Sequence, residues 1–535
     1  MARISNVLLA AAVLAAPACD GDAPRARRVL IVGWDGATFD LIDPLVDEGS
    51  LPHLAALMES GRTAALESTR IPISSAAWPT ISTGRTPGEH GVYSFFAPEA
   101  GSYDARLVSA MDVDAPPLWR ILSARGHRVN VWGVPITYPP EPVDGTLVGG
   151  MLSPFEGDYA WPEGLAARLR GDGFIPDLGI WRQDQLADMA TVEAQLAIKE
   201  RELVELARRT DWSFSMFTFK SLDVLCHRPT LRLDGPEIRW LLIRLDEILG
   251  RLVEAAGEDT VVMVISDHGF ARYEAVLDLH RWLLDAGHSV PRSDAVLGEG
   301  AAGNLAERRS AERAARLGQL DLGRSAAWAG ACEGPFGSIR LNVEGREPLG
   351  CLDADAGEVG ARVESITRDL LALEFPDGER VVRAVHRGDE LYPGPHAGWT
   401  SGAAVPDLIV ELREDVQCVA GGFGRALSRR APFPDHALDG ILVMGGADVA
   451  QEDARGRLTL VDIAPMVLHA LDEAVPSGMS GRARPGFLRR TAEVRRIDDA
   501  KDESLVPTET AFGGRERAAT GADVTSRVQG LGYGR

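Results

Sequence analysis

Positive charge is scarce in this sequence of 535 residues. Its 56 lysines and arginines are outnumbered by 78 aspartates and glutamates, so the formal net charge is −22 at pH 7. Nucleic-acid polymers are bound by clustered lysine and arginine side chains that contact the phosphates, and we therefore expect no binding of such a polymer. The deficit does not exclude a small phosphorylated substrate, because bound cations can reverse the sign of the local field.

Cysteine is also rare. The chain has 5 cysteines, and no two of them have the Cys-x-x-Cys spacing. The spacing therefore predicts neither a disulfide framework nor a zinc site built from thiolates. Hydrophobic residues make up 45% of the chain and charged residues 25%, as in folded globular proteins. The length fits one large α/β core with insertions.

The first 19 residues have the pattern of an export signal. Arg3 precedes an apolar run at 7–16, and Ala16-Pro17-Ala18 matches an A-x-A cleavage site. We predict a signal peptide at 1–19, a linker at 20–28 and export to the periplasm or outer surface of a bacterial envelope. Cys19 resembles a lipoprotein acceptor, so membrane attachment through a lipidated Cys19 and simple export are both open. A buried N-terminal helix is the alternative.

Apolar runs that end in polar residues recur between residues 29 and 485. Val29–Gly33 and Val261–Ile265 are predicted strands buried on both faces, and Met189–Arg209 has the composition of a long helix. Alternating strands and helices indicate an α/β fold with a mainly parallel sheet and helices on both faces. We predict an insertion at about 271–331 that covers the site. Residues 486–535 are charged and poor in large apolar side chains, so we expect a poorly ordered tail.

The segment 71–96, IPISSAAWPTISTGRTPGEHGVYSFF, contains two adjacent hydroxyls, Ser74 and Ser75. Its small residues and glycines predict a buried turn that opens a helix, whose free N–H groups favour an anionic ligand. A serine at that place can be a nucleophile if something lowers its pKa. The alternative is that Ser74 caps the helix, which is a common role of serine before a helix.

Carboxylates and imidazoles stand near the ends of several predicted strands. In chain order they are Asp35, Asp223, His227, Asp267, His268 and His436. A set of oxygen and nitrogen ligands without cysteine suits two divalent ions such as Zn²⁺ or Mn²⁺. Two metals about 4 Å apart can clamp the attacking and leaving oxygens of a phosphoryl displacement.

Taken singly, each of these residues has a plainer interpretation. Asp35 and the segment 267–269 suit turns. The spacing of Asp223 and His227 also suits a pair on the surface of a helix. Their joint occurrence beside strand ends favours the metal site. His396, in a loop rich in glycine and proline, could also reach it.

In these motifs the sequence resembles the alkaline phosphatase superfamily, and within it the type I phosphodiesterase/nucleotide pyrophosphatase branch. The matching segments are VLIVGWDGATFD, SSAAWPTISTGRTPGEHGVYSF, KSLDVLCH, VISDHGF, GSIRLNVEGREPLG, VPDLIV, DHALDGILVMGG and LVDIAPMVLHALDEAVPSGMSG. The resemblance implies an alkaline-phosphatase-like catalytic domain at 29–485 with an inserted cap region. It implies a metal-dependent hydrolase of small phosphorylated substrates, foremost a phosphodiesterase or nucleotide pyrophosphatase.

Carried over to this sequence, the family pattern implies two divalent metal ions and a covalent phospho-enzyme that metal-activated water hydrolyses. One metal would be held by Asp223, His227 and His436, and the other by Asp35, Asp267 and His268. Ser74 would be the nucleophile in contact with the second metal, where this branch usually has threonine. Ser74 is preferred to Ser75 because it keeps the family's distance to Thr83-Gly84.

Two departures from the family pattern bear on specificity. Many nucleotide pyrophosphatases hold the phosphate with an asparagine that has no counterpart in this chain, and Phe95 stands near the aligned place. The sulfatase signature C/S-x-P-x-R is absent, so no formylglycine nucleophile is expected. A phosphotransferase or phosphomutase on the same scaffold is one alternative function. An exported binding protein without turnover is another.

Overall fold

A computed structural model describes residues 28–176, 188–228, 231–293, 317–398, 404–421, 425–490 and 493–512. The predicted signal peptide, Cys19 and the linker before Arg28 lie outside the described residues, so export and lipid anchoring stay predictions. Within the described ranges, no helix has the length and apolar character that a membrane span requires.

The strands, in chain order, are β1 (Arg28–Trp34), β2 (Arg62–Glu67), β3 (Phe96–Pro98), β4 (Ala105–Leu107), β5 (Val129–Trp132), β6 (Gly145–Val148), β7 (Ala160–Trp161), β8 (Phe214–Phe219), β9 (Thr260–Ile265), β10 (Gly269–Asp278), β11 (Ala327–Glu333), β12 (Phe336–Leu341), β13 (Val382–Arg387), β14 (Leu408–Leu412), β15 (Val416–Val419), β16 (Leu427–Ala437), β17 (Asp439–Gly446), β18 (Gly456–Thr459), β19 (Val475–Pro476) and β20 (Arg496–Ile497).

The α-helices are α1 (Phe39–Asp47), α2 (Pro52–Ser60), α3 (Ser74–Thr83), α4 (Pro87–His90), α5 (Leu118–Ala124), α6 (Leu165–Gly171), α7 (Met189–Arg208), α8 (Ser221–Cys226), α9 (Pro236–Ala256), α10 (Leu279–Asp285), α11 (Glu358–Leu371), α12 (Gly388–Leu391), α13 (Ile463–Ala470) and α14 (Thr508–Ala511). Short 3₁₀ turns occur at Ala110–Asp112, Leu460–Asp462, Pro485–Phe487 and Asp499–Lys501.

The main sheet has the strand order β18-β2-β17-β9-β1-β8-β5-β6-β7. Its central strand β1 runs parallel to both β8 and β9, while β17 is antiparallel to β9 and β2. Side chains of β1 alternate between two cores. Leu30 and Val32 pack against α7 and α9, whereas Val29 and Ile31 pack against α3, α5 and α13. The predicted mainly parallel sheet with helices on both faces is confirmed.

The inserted region is larger than the predicted 271–331. The chain leaves the main sheet after β9 and returns to it at β17, and between them lie a three-stranded sheet (β15-β10-β16) and a four-stranded sheet (β11-β12-β14-β13). These sheets share a separate core with α10 and α11. An apolar run predicts a strand without indicating which sheet the strand joins, so the sequence does not show the extent of these two sheets.

The described stretch 493–512, which falls within the tail predicted at 486–535, makes specific contacts with the core. In that stretch β20 pairs with β19, and Arg125 binds Asp502 at 2.7 Å. Arg120 donates to the hydroxyl of Thr508 at 3.1 Å, and Phe512 is buried. The stretch is held mainly by arginines of the core, and such polar contacts are not visible in a composition that lacks large apolar residues.

Candidate active site

The site lies at the carboxyl ends of the three central strands. Asp35 follows β1, Asp223 lies in α8 directly after β8, and Asp267 follows β9. The backbone N–H of Asp35 donates to the carbonyl of Phe219 at 3.0 Å, which extends the pairing of β1 and β8. Because the carboxyl ends of parallel strands meet at one edge of a sheet, three carboxylates distant in sequence come together there.

Ser74 is the first residue of α3, and it does not cap this helix. The cap residue is Ile73, which makes no side-chain cap hydrogen bond. The Ser74 hydroxyl instead lies 3.5 Å from Asp35 Oδ1 and 3.3 Å from His268 Nε2. The neighbouring Ser75 Oγ is buried without a hydrogen-bond partner among the described residues. Of the two hydroxyls, only that of Ser74 contacts the predicted ligands.

Asp35, Asp267 and His268 form what we call the serine-side cluster, and all three are fully buried. His268 Nε2 lies 3.4 Å from Asp267 Oδ2 and 3.8 Å from Asp35 Oδ1. Asp35 Oδ2 accepts a hydrogen bond from Trp78 Nε1 at 3.0 Å. Asp267 Oδ1 accepts one from the Gly36 N–H at 3.4 Å. His268 Nδ1 faces the Gly269 carbonyl at 3.1 Å. A carbonyl only accepts, so Nδ1 carries the proton and Nε2 has a free lone pair.

Asp223, His227 and His436 form the histidine-side cluster. Asp223 Oδ1 lies 3.2 Å from His227 Nε2 and 3.3 Å from His436 Nε2, and the two Nε2 atoms are 2.7 Å apart. His436 Nδ1 faces the carbonyl of Pro72 at 2.6 Å, so it also carries its proton there. Metal–ligand bonds of about 2.0–2.1 Å in a tetrahedral zinc site place neighbouring ligand atoms about 3.3 Å apart. The cluster has close to that spacing.

Two unpaired oxygens show that the clusters fit cations. Asp223 Oδ1 and Asp267 Oδ2 are buried and have no hydrogen-bond partner within the part of the chain that the structure describes. A buried anionic oxygen without a donor is costly, and a divalent cation would satisfy it. The clusters adjoin, because the rings of His268 and His436 stack with centroids 3.7 Å apart.

The electrostatics of the two clusters also favour cations. Burial, and then the charge of Asp267, raise the pKa of Asp35 to about 8. Burial lowers the pKa of His268, but Asp267 and Asp35 outweigh it and raise that pKa above its ordinary value. The negative charges of Asp267 and Asp223 thus act on the buried carboxylate of Asp35, and divalent cations would relieve this repulsion.

Sequence reasoning missed three residues that contact or adjoin the candidate ligands. Trp78 holds Asp35, as described above, and Lys220 Nζ pairs with Asp223 Oδ2 at 2.9 Å. Asp435 lies near His227 and His436, but its carboxylate accepts from the N–H groups of Gly334 and His436 and from the Gln417 amide. Asp435 therefore supports the histidines. The signals were weak: Asp435 adjoins His436, and Lys220 follows a strand directly.

Two other residues lie apart from the clusters. His396 Nε2 is 3.2 Å from Asp114 Oδ2, and its ring packs against Gly91, so the structure does not bring it to the ligands. Phe95 is buried in an apolar cluster with Ile73 and Tyr93. The place aligned with the family's phosphate-binding asparagine is therefore apolar.

The fold and the arrangement of the two clusters define a member of the alkaline phosphatase superfamily. Among similar solved structures, phosphonoacetate hydrolase from Sinorhizobium meliloti 1021 in complex with phosphonoacetate has a TM-score of 0.55 at 14% identity, covering 84% of this chain and 96% of that one. Wild-type alkaline phosphatase PafA has a TM-score of 0.54 at 11% identity, with coverages of 87% and 99%. Murine ectonucleotide pyrophosphatase/phosphodiesterase 5 in complex with AMP has a TM-score of 0.51 at 13% identity, covering 86% of this chain and 99% of that one.

At the sequence level, the profile of the type I phosphodiesterase / nucleotide pyrophosphatase family matches residues 29–424. The chain therefore belongs to this family of phosphoester hydrolases, as the motifs predicted. A comparison with curated protein sequences finds no significant match.

Proposed function

We propose that the protein is a hydrolase of phosphate esters that uses two divalent cations, Zn²⁺ or Mn²⁺, and acts as a phosphodiesterase or nucleotide pyrophosphatase. The observation that carries the proposal is the position of Ser74 Oγ, within 3.5 Å of Asp35 and 3.3 Å of His268. A hydroxyl at the start of a helix, beside ligands suited to cations, is the arrangement that nucleophilic attack on a phosphate requires.

The two clusters and the start of α3 would have different roles in the reaction. Bound cations would neutralise the phosphate oxygens and lower the pKa of a hydroxyl or of water. The serine-side and histidine-side clusters would each hold one cation. The N-terminus of α3 faces the same place, and its N–H groups favour a negatively charged phosphate.

Ser74 would carry the covalent step. Its Oγ forms a bond to phosphorus while the bond from phosphorus to the leaving oxygen breaks, and the leaving group departs with a proton. The hydroxyl proton of Ser74 passes through solvent to the leaving oxygen. Water then attacks the phosphoryl group on Ser74, which releases the second product, a phosphate monoester when the substrate is a diester, and one proton of the water restores the hydroxyl.

The apolar surroundings of Ser74 support a preference for diesters. Ile73 and Phe95 belong to one apolar cluster next to the start of α3. A bound monoester carries one more negative charge than a diester and needs an additional donor.

The test is a pair of serine variants assayed on bis(p-nitrophenyl) phosphate. Ser74→Ala should lower turnover at least about 10³-fold, because the covalent route is lost, with metal content near two per chain. Ser75→Ala is the matched control, and its hydroxyl contacts no ligand, so turnover should change little. Acid-quenched wild-type protein should carry a p-nitrophenyl phosphoryl group on Ser74 in mass spectra.

Other outcomes would reject parts of the proposal. If Ser74→Ala stays active and Ser75→Ala is inactive, Ser74 is not the nucleophile and Ser75 takes that role. Nitrophenol release that needs an acceptor alcohol would indicate a phosphotransferase. Folded protein that takes up no metal would favour a binding protein without turnover.

A further inference from the structure

The inserted region brings together two cysteines that lie 86 residues apart in the sequence. Cys332 is in β11 and Cys418 is in β15, and their Sγ atoms are 3.3 Å apart. Both are free thiols in this structure. A disulfide has a sulfur–sulfur distance of about 2.05 Å, so the two sulfurs need to approach by little more than 1 Å.

The backbone around the two thiols makes room for them. Gly337 is the cross-strand partner of Cys332. A Cβ at position 337 would overlap Cys418 Sγ and lie 3.3 Å from Cys332 Sγ. The N–H of Cys418 donates to the carbonyl of Gly334 at 2.7 Å, so backbone hydrogen bonding already joins β15 to the β11–β12 turn. The two sulfurs are therefore already neighbours, and the glycine between them leaves room for a bridge.

We propose that Cys332 and Cys418 form a disulfide in the mature protein and that this bridge fixes the polar groups behind His436. Cys332 is partly exposed and Cys418 is buried, so Cys332 meets the oxidant, which is an external disulfide. The Cys332 thiolate attacks that disulfide, which forms a mixed disulfide and releases one thiol. Cys418 then attacks Cys332 Sγ and releases the second thiol, so one external disulfide is reduced to two thiols.

The connection to the active site runs through the residues next to each cysteine. Glu333 Oε2 lies 4.0 Å from His436 Nδ1, and the N–H of Gly334 donates to Asp435 Oδ2 at 3.1 Å. On the other side, Gln417 donates to the same oxygen of Asp435. A bridge would tie together the two segments that hold Asp435 and therefore His436. This role of the bridge rests on the proposed two-cation function, whereas the bridge itself does not.

Peptide mapping tests the bridge. The full-length protein is purified without reductant, exposed to oxidised glutathione, alkylated in denaturant and digested. We expect a peptide containing Cys332 linked to one containing Cys418, with Cys226 and Cys351 alkylated. Alkylation of both Cys332 and Cys418 after the oxidant would overturn the bridge. The mapping needs no activity, so its result is independent of the outcome of the Ser74 variants.

Metal release tests the role of the bridge. The Cys332→Ser/Cys418→Ser double variant, loaded with zinc, should lose metal to a chelator about 10-fold faster than the oxidised wild type, because groups behind a ligand tune its affinity. Reduced wild-type protein should behave like the double variant. Cys351→Ser is the control, since Cys351 Sγ contacts the Ser325 carbonyl at 3.3 Å and no other thiol among the described residues, and the rate of metal release from this variant should be unchanged. Equal release from oxidised and reduced wild type would overturn the positioning role.

Discussion

Replacing Trp78 by phenylalanine removes one hydrogen bond from the site without altering any predicted ligand. Trp78 Nε1 donates to Asp35 Oδ2 at 3.0 Å, and both side chains are fully buried. A hydrogen bond to a charged group contributes about 1.5–3 kcal/mol. If that contribution is lost from the ionised, cation-binding form of Asp35, metal affinity falls about 10- to 100-fold, since each 1.4 kcal/mol is tenfold. Removal of groups behind metal ligands typically has an effect of about that size.

Trp119→Phe is the matched control. Trp119 Nε1 donates to Glu141 Oε1 at 2.6 Å, and both residues are buried, but neither belongs to the two clusters. Both variants should lose folding stability in urea, and only Trp78→Phe should lose zinc affinity in a competition titration with a fluorescent chelator. Equal zinc affinities in the two variants would refute the view that Trp78 holds Asp35 in its ligand position.

Two further predictions concern charges. In chelator-treated protein the pKa of Asp35 is raised to about 8 by burial and by Asp267. The folded state therefore keeps a proton that the unfolded chain releases near pH 4. As the pH rises from 4 to 8, the melting temperature of the metal-free wild type should therefore fall relative to that of Asp35→Asn. A difference between the two melting temperatures that does not change with pH would contradict this. Arg346 binds Asp407 through two 2.8 Å contacts inside the cap. Arg346→Ala should cost about 3–5 kcal/mol in urea unfolding by leaving a buried carboxylate unpaired. The control Arg383→Ala, from an exposed side chain, should cost under about 1 kcal/mol; similar costs for both would reject the reasoning.

Much of the core could be predicted from local patterns. The predicted strand Val261–Ile265 lies within β9, and the predicted helix Met189–Arg209 differs from α7 by one residue. Strands covered on both faces are apolar at every position, so they are visible in the sequence without knowledge of their partners. The candidate ligands Asp35, Asp267 and His268 were predicted for a similar reason, because polar residues directly after such strands fall at one edge of the sheet.

Only the tertiary structure shows whether Ser74 caps its helix or faces the candidate ligands. The sequence shows that a serine opens the helix, but it does not show whether the hydroxyl turns toward the backbone or toward His268. Lys220 likewise was not predicted, because its contact with Asp223 depends on how α8 leaves the sheet.

Local sequence patterns therefore determine one part of this structure, and contacts between distant segments determine another. The buried parallel strands and the residues at their ends follow from short-range apolar patterns, which need no information about distant segments. Other features depend on contacts between segments far apart in the chain. These are the extent of the inserted region, the hydrogen bond from Trp78 to Asp35 and the proximity of Cys332 to Cys418. Such contacts form only when whole sheets pack together, and no local pattern of residues specifies them.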